Sequence, residues 1–357
     1  MSSRQFRISR RAWLLSLSGL SLLRGDEPKN ISFPLQAIEG TLTPPDLFFV
    51  RDHFTEPDVS LSAWKLKIEG RVARPLEMTF ADILESPTKK LEAVLECAGN
   101  VASGFAVSNG VWEGVPMVHL LEQAKPAPEA SSVLLEGSDT GRLLRDAPDL
   151  PYSQLVPLQK CLQPESLVTF RVNDRFLPRR NGFPARALLP GWYGMDSVKW
   201  LRRIVVLRPG DKPGSFHESG LDELYNRLMK TPGGRRGAAR VSQILVKSSI
   251  AYPLDGARLP AATHMVWGFA WTGGGTIRSV EFSADGGSSW SPAKLESAPK
   301  PLAWVRWSCR WAATPGEHAL LSRATDQAGH QQPLVRDPSR EDGYELNWCA
   351  PLRCSVK

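Results

Sequence analysis

Residues Ser279 to Trp290 read SVEFSADGGSSW. This is a strand, an Asp-Gly turn at Asp285-Gly286 and the opening of a return strand, a strong local signal for an antiparallel hairpin. Just downstream, WVRWSCRW (Trp304 to Trp311) puts Val305, Trp307, Cys309 and Trp311 on one face and Arg306, Ser308 and Arg310 on the other, the period of a half-buried strand. Seven of the twelve tryptophans lie after residue 240. Together these predict an all-β, immunoglobulin-like sandwich over 236–357.

Upstream the pattern is mixed. WKLKIEG (Trp64 to Gly70) alternates as a strand does, FADILES (Phe80 to Ser86) reads as a short helix, and Leu167 to Val172 and Ile204 to Leu207 read as further strands. An α+β domain over 31–235 follows, ending in TPGGRRG (Thr231 to Gly237), a linker without periodicity. A length of 357 residues accommodates these two units, and 42% apolar and 23% charged residues suit a globular chain. The formal charge of +7 is spread along the sequence without a polybasic tract, which argues against nucleic acid and for an anionic substrate or cofactor. Residues 1–30 stand apart: Arg10 and Arg11 precede an apolar run, Ala12 to Leu23, too short to span a bilayer. This resembles a twin-arginine export signal, implying a periplasmic protein.

Five cysteines (97, 161, 309, 349 and 354) are too few for a disulfide scaffold. Cys349 and Cys354 flank Pro351 and read either as a pair or as two ordinary thiols. Cys97 sits in LECAGNVASG, Leu95 to Gly104. Ala93 to Leu95 look like a buried strand, and Gly99-Asn100 opens a loop, so the thiol lies at a strand-to-loop junction where ligands and nucleophiles are displayed. A free cysteine is also a small buried hydrophobe. No C-x-x-C or H-x-x-x-H completes a zinc site nearby, so a metal held here needs a cofactor to bring its other ligands.

ECAGN resembles the molybdenum-ligating loop of the sulfite oxidase family, and three more segments agree in order. FFVRDH (Phe48 to His53) is similar to the family's early contact segment, NGFPARALLPGWYGMDSVKW (Asn181 to Trp200) to its pterin-binding stretch, and AWTGGGTIRSVEFSADGGSSW (Ala270 to Trp290) to the start of its dimerisation domain. The resemblance implies an α+β molybdopterin-binding domain followed by the sandwich, and one molybdenum-molybdopterin per chain with Cys97 as the metal's sole protein ligand, a soft thiolate suited to that metal. It implies pterin contacts from Phe49, Val50, Arg51, Asp52, His53, Asp139, Asn181, Arg186, Ser197, Val198 and Lys199. Arg51, Tyr225 and Lys300 are implied beside Cys97 as catalytic residues.

Two positions depart from the family pattern. Ala102 stands where an arginine of the anion pocket is usual, and Lys300 where a second arginine is usual; Trp112 matches a post-loop tryptophan approximately. The first departure removes a charge and the second a bidentate fork, so the expectation is weak binding of sulfite or a less charged substrate, with Ala102→Arg lowering the KM for sulfite. The implied activity is oxygen-atom transfer on a small, sulfur-containing substrate. No C-x-x-C-H haem motif is present, so electrons are expected to pass to a separate carrier, a periplasmic cytochrome, from a homodimer. Nitrate-reductase-like and sulfoxide-reductase-like activities are the enzymatic alternatives, and a periplasmic binding module the non-enzymatic one.

Overall fold

The computed structural model describes residues 28–142, 149–214, 226–230, 236–340 and 342–357. The N-terminal segment read as an export signal, with Arg10 and Arg11, and Tyr225 lie outside the described residues. Two five-stranded sheets build the first unit. In one, Leu201–Leu207 runs parallel to Lys65–Gly70 and antiparallel to Ser132–Gly141, with Leu76–Thr79 and Leu150–Pro157 outermost. The other pairs Lys89–Glu96, Val107–Pro116 and Leu167–Val172 in antiparallel order, with Arg175–Phe176 and Arg186–Leu188 both on the last of these. Side chains from both sheets, among them Leu66, Ile68, Val115, Leu135, Val168 and Ile204, form one core between them.

The α+β expectation overstates the helix content. Among the described residues the α-helices are short: Phe80–Glu85, Met117–Ala124 and Leu158–Cys161. Proline precedes the last two, and the second ends on Lys125 in the left-handed region, so the chain turns back into strands before a helix can lengthen. The predicted helix at Phe80 forms because Thr79 caps it, its hydroxyl accepting from the Asp82 N–H while the Asp82 carboxylate accepts from the Thr79 N–H.

Most of the predicted linker, residues 231–235, lies outside the described residues. Asn226–Lys230 pairs antiparallel with Arg236–Arg240, so a division at residue 235 falls inside a two-stranded ribbon. Beyond it, sheets of four and five strands enclose a core of Val266, Val280, Phe282, Trp307, Trp311 and Leu320. The hairpin forms as read: Ile277–Ser283 pairs with Ser291–Pro292 across Gly286 and Gly287, both at positive φ, although the return strand is only two residues long. Trp307 and Trp311 face inward and Arg310 outward. All five cysteines are free thiols.

The two units share a third core, in which Leu35, Val94, Val107 and Tyr193 pack with Val241, Phe269, Trp271 and Trp304. The strand leading to Cys97 is therefore braced by both units.

Candidate active site

Lys89–Glu96 and Val107–Pro116 are antiparallel neighbours, with Glu96 opposite Val107. Residues 97–106 close the loop between them, and the Cys97 N–H donates to the Ala106 carbonyl at 2.9 Å. Asn100 ties the loop internally: its Oδ1 accepts from the Ala106 N–H at 3.0 Å and its Nδ2 donates to Glu96 at 2.9 Å. The second unit reaches the same loop through Lys247, whose ammonium pairs with Glu96 at 3.1 Å and donates to the Val101 carbonyl at 2.9 Å. Trp271 adds an indole N–H to the other Glu96 oxygen at 2.8 Å. A buried carboxylate is held here by a cation and two further donors, which offsets its desolvation.

Cys97 opens into a cavity of about 600 Å³, the size of a small-cofactor site. Every residue anticipated as a cofactor contact lines it: Phe49, Val50, Arg51, Asp52 and His53 from one edge, Asp139 from the neighbouring sheet, and Asn181, Arg186, Ser197, Val198 and Lys199 from the long segment before Leu201. Arg186 and Lys199 are not the exposed charges their residue types suggest. Arg186 is buried, donating to the carbonyls of Asn181 at 3.1 Å and Ser197 at 2.7 Å and lying over Trp112. Lys199 lies over Trp200 at 4.2 Å and pairs with the buried Asp52 carboxylate. Gly182 makes this close approach possible; it sits at φ +108, and a Cβ there would press on Arg186 and Lys199.

Burial sets the protonation of the walls. The His53 imidazole is pushed down to about 4 by burial, with Arg51 and Lys199 adding repulsion, so it is neutral at pH 7. Asp139 is pushed up to about 7 by burial against the pull of Lys199, so near neutrality its carboxyl both accepts and donates hydrogen bonds. Burial also raises the Cys97 thiol, opposed by the Gly99 N–H and Arg51; a metal held there would displace its proton.

Three buried atoms along this wall have no partner among the described residues: Asp139 Oδ1, Asn181 Oδ1 and Arg186 Nε. Such groups are costly unless a ligand or water completes them. Among the described residues no group of three His, Cys, Asp or Glu side chains converges to hold a metal. One thiol, buried cations and unsatisfied donors and acceptors fit a cofactor that brings its own metal ligands, an anionic phosphate and hydrogen-bonding edges.

Residues 53–213 match the oxidoreductase molybdopterin binding domain, and residues 239–339 the Mo-co oxidoreductase dimerisation domain. Sulfite oxidase of Gallus gallus is 30% identical over 338 residues, spanning 87% of this chain and 72% of that one. The chain belongs to the sulfite oxidase family of molybdopterin oxidoreductases. The crystal structure of the sulfane dehydrogenase SoxCD from Paracoccus pantotrophus matches with a TM-score of 0.80 at 27% identity, covering 98% of this chain and 91% of that one. An NADPH nitrate reductase of Emericella nidulans is 30% identical over 87% of this chain. The chain spans 61% of the mouse mitochondrial sulfite oxidase and 41% of that nitrate reductase.

Two positions expected at the substrate end, Lys300 as a contact and Ala102 as the place of a missing one, do not line the cavity of Cys97. Lys300 is an exposed residue ion-paired with Glu92 at 2.7 Å and does not line the cavity; the proline-bracketed turn that carries it, Pro299 to Pro301, keeps its side chain in solvent. Ala102 is buried and faces a separate cavity of about 260 Å³ with Phe105, Ser249 and Leu352. An arginine at Ala102 would enter that second space, so Ala102→Arg is not expected to supply a substrate contact beside Cys97. Trp112 is wholly buried beneath Arg186 and supports the pocket from below, its indole N–H on the Ala93 carbonyl.

Two tyrosines that sequence reasoning missed line the cavity, Tyr152 and Tyr344. Tyr152 packs on His53 with ring centroids 4.7 Å apart and donates to the Met195 carbonyl. Its alternation within Leu150–Pro157 was a readable signal for a strand. Tyr344 comes from the C-terminal segment, and no motif in its surroundings marks it.

Proposed function

We propose that this chain is an exported molybdenum oxidoreductase that oxidises a small, sulfur-centred substrate by oxygen-atom transfer and hands the electrons to a separate carrier, a periplasmic cytochrome. The observation that carries this reading is the single thiol of Cys97 opening into a cavity whose wall holds three unpartnered buried polar atoms. When bound, molybdopterin and its molybdenum supply two-electron redox chemistry coupled to movement of one oxygen atom. In this reading Cys97 gives the metal its protein sulfur. Arg186 would offer its unpartnered Nε to the pterin phosphate, and Lys199, Asn181, Asp139, neutral His53 and the Ser197–Val198 backbone would engage the pterin's edges.

Charge distribution supports a modest anionic charge on the substrate. Arg186 and Lys199 are committed to carbonyls and to Asp52, which leaves Arg51 as the cation near the thiol among the described lining residues. One arginine orients a single oxyanion; a compact dianion such as sulfite, deprived of a second charged contact, loses about 2–5 kcal/mol of binding and is expected to turn over with high KM. The sulfane dehydrogenase match lends weight to a less oxidised sulfur compound.

Protein matured in a host that makes the cofactor should contain molybdenum stoichiometric with the chain and oxidise sulfite or a sulfane compound with an artificial electron acceptor. Metal-free protein from such a host would sink the reading, and nitrate reduction without sulfur oxidation would replace it with that of the fungal relatives. The second unit, read as an immunoglobulin-type sandwich, is assigned to pairing two copies of the chain, which a monomeric mass by light scattering would refute. Export should need Arg10 and Arg11 together: replacing both with lysine should leave active enzyme in the cytoplasm, and unchanged periplasmic activity would count against a twin-arginine signal.

A further inference from the structure

The last turn before the C-terminal strand is built with more ionic structure than a chain end needs. The Arg340 guanidinium is forked onto Asp342 at 2.7 and 3.0 Å, reaches Glu345 at 3.1 Å and donates to the Tyr344 carbonyl at 3.0 Å. Asp342 also accepts from the Tyr344 N–H at 2.9 Å, and Arg336 donates to the Asp342 carbonyl at 2.6 Å. The side chains of Asp342 and Glu345 are 4% and 1% exposed, and Glu345 holds a positive φ of 54. Burying two carboxylates and a strained non-glycine residue is costly, and such an arrangement persists when it fixes something else in place.

What it fixes is Tyr344. The Glu345 N–H donates to the Ala98 carbonyl at 2.9 Å, attaching this turn to the loop of Cys97. The Tyr344 ring then lies about one van der Waals contact from Gly99, where a Cβ would stand 4.0 Å from its Cε1. Its ring lines the same cavity as Cys97 and Arg51.

From this geometry we infer that Tyr344, delivered by the C-terminal segment, is the hydroxyl donor that with Arg51 binds the oxyanion of the substrate beside Cys97. This deepens the function proposed above and rests on it. It also gives the substrate end a composition of one cation and one neutral donor, which suits a single anionic oxygen better than a compact dianion.

Tyr344→Phe removes the hydroxyl and keeps the ring. In the holoenzyme it should leave molybdenum content and the unfolding midpoint at wild-type values, and lower kcat/KM about ten- to hundredfold. Sulfate affinity, read by titration calorimetry, should fall about tenfold in the same variant. Unchanged kcat/KM with unchanged sulfate affinity would overturn the inference. So would a drop in molybdenum content that accounts for all the lost turnover, since Tyr344 would then only support the Cys97 loop. Sulfate titration of metal-free protein separates the two levels: a wild type without molybdenum would overturn the functional reading, while loss of sulfate affinity in Tyr344→Phe would still uphold an oxyanion site at Tyr344 and Arg51.

Discussion

Cys97→Ser protein should fold and take up pterin but show turnover at background level. Serine is nearly isosteric with cysteine, and the loop is held by backbone bonds and by Asn100, none of which uses the thiol; the stability change is expected to stay within about 1–2 kcal/mol. The chemistry has no such reserve. A soft thiolate is exchanged for a hard hydroxyl that holds its proton at neutral pH. No other thiol takes over: Cys161 and Cys354 are buried in cores, Cys349 is buried away from the cavity, and Cys309 lies on the tryptophan-rich strand of the second unit. X-ray absorption at the molybdenum edge should count one sulfur fewer in the variant. An unchanged count with retained turnover would remove Cys97 from the metal.

The second large effect lies one residue away, at the Glu96–Lys247 pair. Both side chains are 2% exposed, and the two residues belong to different units of the chain. Lys247→Met keeps much of the stem volume and deletes the charge. Glu96 would then be left as a buried carboxylate with only the Asn100 amide and the Trp271 indole, and removing one partner of such a pair costs about 3–5 kcal/mol. The surviving donors put the expectation at the lower end of that range. Because Lys247 also holds the Val101 carbonyl, molybdenum content should fall with stability. The double variant Glu96→Gln, Lys247→Met leaves no orphaned charge and should recover much of the loss, as a double-mutant cycle by chemical denaturation would show. A single variant as stable as wild type would mean that the pair is not a clamp.

Much of this could be anticipated because its causes are local. The strand before Cys97, the capped helix at Phe80 and the Asp285-Gly286 hairpin each depend on residues within a few positions, and their periodicity and turn chemistry are written in order along the chain. The cavity wall was legible for a different reason. Phe49 to His53, Asn181, Arg186 and Ser197 to Lys199 lie in segments whose residue order resembles a family pattern, and all of them reach one cavity. The α+β class overstated the helix content, because the helices that form at Met117–Ala124 and Leu158–Cys161 are short, each entered directly from a proline.

Sequence by itself determined that a mixed unit, read as α+β, with a lone thiol on a glycine loop is followed by a tryptophan-filled pair of sheets. Tertiary structure decided what surrounds the thiol. Arg186 and Lys199 become buried cations only because Trp112, Trp200 and Asp52, the last of them 147 positions from Lys199, close over them. Lys300 and Ala102 sit at plausible positions along the chain and point elsewhere, since a turn and a loop choose their directions from what packs against them. Lys247 and Tyr344 arrive at the Cys97 loop from the second unit through contacts that no local pattern encodes. Local sequence sets backbone shape through short-range sterics and hydrogen bonds, whereas a site assembled from remote segments is selected by the packing of whole sheets, and that free energy exists only once the chain has folded.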